Sequence, residues 1–365
     1  MIDEIHSDVC DGASPSIAQG GGVPLPLTRG QLEIYVEQKL NAESPLFNIG
    51  ALVRIEGRMD PHGMVAAIRH VADSAAAFRT VMLDTDEGPR QMVLDRFIGA
   101  VDLVDLSGED DPETAARLFM ERDMTVPLPF GPDGPLVRFA VFQCSPDVRY
   151  WYGKFHHIVA DGWGTSLFHA ALVKSFNARS PDGSFPELDL GSVVQQLDDE
   201  KQYRASPAFE AGRKYWQERF PALPEPLFTQ NGAYTTRAFR RTLHLNGALY
   251  GRIRALATEE KASPFHLLLG ALGIVLSRQC STRDLIVAVP ILNRRTAADK
   301  RTIGLYASVS PVRLCLDDRI SMRELTGNLR GELRRDYRHQ RFPTSELKLP
   351  GLPEASARNR LHEVS

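Results

Sequence analysis

Two adjacent histidines, His156 and His157, are followed after three residues by Asp161 and Gly162, with Trp163 and Gly164 next in the chain. An imidazole with its ordinary pKa of about 6.5 accepts or gives up a proton at neutral pH, which suits general acid–base work or the positioning of an amine. The carboxylate of Asp161 can orient a histidine, as in a catalytic triad. Gly162 and Gly164 carry no Cβ, so a substrate chain or another backbone can pass close to them, while Trp163 reads either as a packing residue or as part of the substrate channel.

A strand must deliver this group. Tyr150 to Val159 is rich in aromatic and β-branched residues, and Asp161-Gly162 is a turn signal that stops the run. Alternation then puts His157 on the face of Trp151 and Phe155 and turns His156 to the opposite face, so one histidine serves a cavity and the other is held by the core. Val137 to Cys144 precedes it across the turn Ser145–Asp147, which predicts a hairpin. An amphipathic helix carrying Phe168, Ala171, Leu172 and Phe176 follows.

Upstream, Thr28 is a predicted N-cap, residues 45–55 a strand with Phe47, Ile49, Val53 and Ile55 on one face, and Asp60-Pro61 the start of a helix with Val65, Ile68 and Val71. Residues 78–83 read as a further strand. Downstream, the pattern predicts a helix over 208–220, a strand over 237–245, a helix over 264–278 that is apolar nearly all round and hence buried, and an apolar strand over 284–290. Met1 to Val23, rich in Asp, Ser and Gly, reads as a disordered arm.

The 365 residues exceed one ordinary core and predict two domains, with a border near residue 180. A net charge of −3 gives no electrostatic case for nucleic acid. Cys10, Cys144, Cys280 and Cys315 form no metal-ligand spacing and read as free thiols of a reducing cytoplasm. No secretion signal and no apolar run of membrane-spanning length is present in the sequence, so a cytoplasmic location without membrane contact is expected.

The His156-His157…Asp161-Gly162 stretch resembles the motif of nonribosomal peptide synthetase condensation domains, in the chloramphenicol-acetyltransferase-like superfamily. The likeness extends to Leu27–Tyr35, to Arg69-His70 with Phe78–Thr80, and to Tyr203 with Tyr215-Trp216. It continues through Pro290–Arg294, Ile303–Arg313, His339–Pro343 and Ser356–Asn359, in the family's order over roughly residues 24–365. It implies an α/β fold with mixed sheets, in which two acetyltransferase-like lobes, 24–180 and 181–365, form a V around the active site. It also implies that His157 handles the proton or positions the amine when a thioester becomes an amide and that Asp161 pairs with Arg294, while His156, on the opposite face of the strand, reads as structural or as a support for the site.

Ser308 stands where many family members have Asn beside the substrate channel. The substrates implied are an acyl or peptidyl thioester and an aminoacyl amine, each on the phosphopantetheine of a carrier protein, with an adenylation domain adjoining, no intrinsic cofactor and no metal. The start near Met1 suggests a donor arriving in trans and a starter role, and the stop at Ser365 suggests an incomplete second lobe. Two other readings are a standalone CoA-dependent acyltransferase and a non-catalytic recruitment domain of the same fold. The paired histidines and the Tyr203–Trp216 stretch favour the synthetase branch.

Overall fold

The computed structural model describes residues 22–180, 182–228, 239–317, 319–347, 361 and 364–365. Most of the expected arm and all of the Ser356–Asn359 motif therefore lie outside the described residues. The elements run β1 (Leu25–Pro26), α1 (Arg29–Leu40), β2 (Asn48–Glu56), α2 (Pro61–Ser74), β3 (Thr80–Thr85), β4 (Gly88–Val93), β5 (Val101–Asp105) and α3 (Pro112–Met124). They continue with β6 (Val137–Gln143), β7 (Val148–His156), α4 (Gly162–Asn177), α5 (Val193–Arg204), α6 (Pro207–Arg219), α7 (Gly247–Glu259), α8 (Pro264–Gln279), β8 (Asp284–Ile291), α9 (Ala297–Arg301), β9 (Ser308–Cys315) and α10 (Met322–Asp336).

The chain divides into two compact units, one holding residues up to Lys201 with Arg294–Tyr306, the other Gln202–Asn293 with Ala307 onward. The division falls inside α5, past the border expected near residue 180, because the segment after α4 packs on the first unit. Phe185 stacks on His70 at 4.7 Å, Lys174 Nζ donates to Glu187 O at 3.1 Å, and Leu188, Leu190 and Val193 join the first core.

In the first unit a mixed sheet in the order β2-β7-β6-β5 is the main layer. β6 and β7 form the expected antiparallel hairpin, β2 flanks β7 antiparallel, and β5 runs parallel to β6 through the α3 crossover. Side-chain alternation splits two cores: Trp151, Phe155, Phe139 and Val141 face Ile68 and Val71 of α2 and Phe168 of α4, while Tyr150, Tyr152, Ala140 and Phe142 face Ala116 and Phe119 of α3. Phe168 stacks on Phe139 at 4.9 Å and meets Trp151 and Phe155 edge-on, both at 5.7 Å. Each fully buried aromatic contributes about 1.5–3 kcal/mol, which fixes α4 on the sheet and with it the turn leading into α4. In a smaller antiparallel sheet, β1-β4-β3, strand β3 begins after a 3-10 turn at Ala76–Arg79 that replaces the start of the strand expected from Phe78.

In the second unit α8 and α10 pack on the antiparallel pair β8-β9, around Leu269, Leu276, Leu285, Val287, Val312, Leu329 and Leu333. α8 is not buried all round: Phe265, Leu268, Leu272 and Val275 are exposed, because the sheet and α10 cover only one side of the helix. Residues 239–246 form no strand despite their alternation and lie exposed; Arg237 and Ala238, which open the expected strand, lie outside the described residues. Among the described residues no helix is long and apolar enough to cross a membrane.

Candidate active site

β7 ends at His156, and His157 opens a turn instead of continuing the strand. The ladder extends by one rung, since the His157 N–H donates to Phe47 O at 2.8 Å, and Val159 N–H then closes the turn onto His156 O at 3.0 Å. Strand alternation holds as far as His156, which lies on the α3 face opposite Trp151 and Phe155.

The two imidazoles have different surroundings. His156 is 1% exposed, and its Nδ1 accepts the N–H of Ile158 at 3.2 Å. Its Nε2 meets Gln38 Oε1 at 3.2 Å, and the ring lies 4.9 Å from that of Phe130 and 5.9 Å from that of Phe47. Burial, with a smaller contribution from repulsion by His157, pushes its pKa down to about 3. His156 is therefore a neutral, structural ring.

His157 is half-buried, and its Nδ1 is buried without a hydrogen-bond partner. Among the described residues no carboxylate orients it through that atom, so the geometry is not a triad.

The pKa depression of His156 has a sign. The unfolded chain binds a proton there at about pH 6.5, whereas the folded chain resists it until about pH 3. The stability from neutral His156 is thus complete above about pH 6.5 and falls by about 1.4 kcal/mol per pH unit on acidification towards pH 3. Urea unfolding at pH 7 and pH 5 should show this loss, and His156→Asn should flatten that part of it; an unchanged pH dependence in the variant would contradict the assignment.

Asp161 does three jobs in one position. As the N-cap of α4 its Oδ1 accepts the N–H of Gly164 at 2.7 Å, and its Oδ2 accepts the N–H of Tyr306 at 3.0 Å. Both oxygens also accept from Nη2 of Arg294, at 3.0 and 3.2 Å. The pair is fully desolvated, with 0% exposure for the Arg294 side chain and 1% for Asp161.

Burying two charges is tolerable only when their remaining donors and acceptors are satisfied. Here Arg294 Nη1 donates to Thr302 O at 2.6 Å and to Asp299 O, Nη2 also reaches Gly304 O at 3.1 Å, and the guanidinium lies over the Tyr306 ring at 4.1 Å, which leaves Nε as its one buried donor without a hydrogen-bond partner among the described residues. The result ties the 294–306 segment to the start of α4, beside the histidine turn.

Trp163 belongs to the same tie, since its Nε1 donates to Lys300 O at 3.0 Å, and Gln196 Nε2 holds Leu305 O at 2.6 Å. Ser308, at the start of β9, is exposed and belongs to the second unit. Gln38 and Gln196 were missed by sequence reasoning, being far in sequence from the histidines, whereas Gly304 and Tyr306 fall in the Ile303–Arg313 stretch but were given no contact with Asp161 or Arg294.

The two glycines separate sharply. A Cβ on Gly164 would lie 3.3 Å from both the N and O of Gly304, tighter than ordinary packing and against backbone. A Cβ on Gly162 would meet nothing within 4 Å. Gly164→Ala is therefore expected to loosen the 294–306 tie and lower the Tm, whereas Gly162→Ala should leave the Tm unchanged and reduce turnover only if a substrate arm passes there. Equal Tm values for the two variants would contradict this distinction.

The Condensation domain family matches residues 24–363. The chain is 26% identical over 324 residues to the dimodular nonribosomal peptide synthase of Bacillus subtilis (strain 168), covering 88% of this chain and 14% of that protein. It is 28% identical over 328 residues to the isonitrile lipopeptide synthase of Streptomyces coeruleorubidus, covering 88% of this chain and 22% of that protein.

Among solved structures, the first condensation domain of the calcium-dependent antibiotic synthetase, in complex with substrate analogue 3a, superposes with a TM-score of 0.80 at 25% identity, over 91% of this chain and 79% of that one. A mutant starter condensation domain of rhizomide synthetase RzmA, in complex with C8-CoA, gives 0.81 at 27% identity, over 93% of this chain and 77% of that one. Fold and site thus define a chloramphenicol-acetyltransferase-like α/β protein. The chain belongs to the condensation-domain family of nonribosomal peptide synthetases, whose members form amides by acyl transfer.

Proposed function

We propose that this chain catalyses attack of an aminoacyl amine on an acyl or peptidyl thioester, with both partners carried on phosphopantetheine arms of carrier proteins. The observation that carries the reading is His157, on a turn held at both ends, with a buried and unpartnered Nδ1 beside the Asp161–Arg294 tie. The amine nitrogen forms a bond to the thioester carbonyl carbon, the C–S bond breaks, and the amine's surplus proton passes by way of His157 Nε2 to the leaving thiolate. In this reading the chain needs no bound cofactor of its own, and an adenylation domain loads the acceptor carrier.

The similarity to a starter condensation domain supports an acyl group as the donor. The test is a choice of donor: the same acyl group offered on a carrier protein and on CoA, with an aminoacyl carrier or a soluble amine as acceptor. Amide on the acceptor carrier with the carrier-bound donor is expected. Preference for CoA and the soluble amine would establish a standalone acyltransferase, and no transfer at all would favour a recruitment domain.

A further inference from the structure

We propose that Gln38 is a positioning residue for His157, acting through His156; the inference rests on the amide-forming reading above for what the positioned ring does. α1 presents a buried face of Gln31, Tyr35 and Gln38, residues spaced to lie on one side of the helix. Two of them bracket the histidine turn. Gln31 Nε2 donates to Ile158 O at 3.3 Å, and Gln38 Oε1 lies 3.2 Å from His156 Nε2.

The orientation of the Gln38 amide is set by its other end. Its Nε2 faces three carbonyls, Asn41 O at 3.0 Å, Ala42 O and Ser44 O both at 3.2 Å. A nitrogen surrounded by acceptors must be the NH2, so the oxygen is turned to the imidazole and can only accept. His156 Nε2 therefore carries the proton, and Nδ1 is left as the acceptor for the Ile158 N–H at 3.2 Å. One tautomer of one ring thus connects the C-terminal end of α1 to the backbone immediately after His157. With Gln38 4% exposed and His156 1% exposed, water cannot replace a lost partner cheaply.

Anchored in this way, His157 has a fixed backbone on both sides: Phe47 O takes its own N–H and the His156 ring takes the N–H of Ile158. Its imidazole has no Nδ1 partner to hold it, so backbone position has to set where Nε2 lies. A displacement of about 1 Å in a reacting group can cost on the order of a hundredfold in rate, so a remote glutamine can matter to turnover without touching substrate.

The test combines a spectroscopic arm with kinetics. In the wild-type chain, 15N-labelled histidine should show His156 protonated at Nε2 and unprotonated at Nδ1 at neutral pH. Gln38→Met, which keeps the side-chain length and removes the acceptor, is expected to shift the ring signals of both His156 and His157. It should lower kcat by about tenfold or more while KM stays within about twofold. In a His156→Phe background, adding Gln38→Met should produce no further loss of kcat, because the path through the ring is already cut.

A wild-type His156 protonated at Nδ1 would overturn the proposal without any variant being made. So would Gln38→Met with unmoved His157 signals and unchanged kcat, or additive losses in the double variant. The spectroscopic arm requires no turnover, so a failure of this inference is distinguishable from a failure of the amide-forming reading.

Discussion

His157→Ala is expected to lower amide formation on loaded carrier proteins by about 10²–10⁴-fold, the usual contribution of a positioned general acid–base group, with the Tm within about 2 °C of wild type. The fold should tolerate the change because His157 lies in a turn, half-buried, and its Nδ1 makes no hydrogen bond that the truncation would break. His157→Asn separates two roles for the imidazole. An amide side chain can hold the incoming amine by a hydrogen bond but cannot take its proton, so a partly retained rate would indicate positioning, and a rate as low as that of the alanine variant would indicate proton transfer. Undiminished product from His157→Ala would remove this residue from the chemistry altogether.

The largest expected effect on stability comes from Asp161. Truncating one member of a buried ion pair strands the other charge and costs about 3–5 kcal/mol, here a drop in Tm on the order of 10 °C. Asp161→Ala leaves the Arg294 guanidinium buried at 0% exposure, removes the cap of α4 and frees the Tyr306 N–H. Asp161→Asn, which keeps a capping oxygen but not the charge, should fall between wild type and the alanine variant. Arg294→Met should be costly on its own yet add little to Asp161→Ala, since both break the same contact. Thermal unfolding of the wild type, the three single variants and the double variant checks this. Single variants that melt with the wild type would show that the pair is energetically neutral and that some other contact holds the 294–306 segment.

The local part of this site is legible in the sequence and the long-range part is not. His156, His157, Asp161 and Gly162 fall within seven consecutive residues, and the β7 alternation that turns His156 into the core is a period-2 pattern any reader can count. Arg294 lies 133 residues from Asp161, so its pairing followed from family resemblance and not from spacing. Tyr306 contributes a backbone N–H, which carries no sequence signature at all, and Gln38 is one glutamine among several until its amide is seen against three carbonyls and a ring.

The same limit explains the misread elements. Phe239 to Leu245 alternates as a strand does, but alternation becomes a strand only when a partner supplies the ladder. α8 is apolar on most sides in sequence, and its exposure follows from the two-stranded sheet and α10 covering a single face, which no window of residues on α8 can reveal.

The most direct test of amide formation at His157 is a single-turnover measurement of the intact mass of the acceptor carrier protein. The chain is mixed with one equivalent of acyl-loaded donor carrier and an excess of aminoacyl acceptor carrier, then quenched over time. The acceptor should gain the mass of the acyl group as the donor loses it, and the new linkage should survive base treatment that cleaves thioesters. His157→Ala should leave both masses unchanged over the same interval. A donor that empties by hydrolysis while the acceptor mass stays constant in the wild type would contradict amide formation as the activity of this chain.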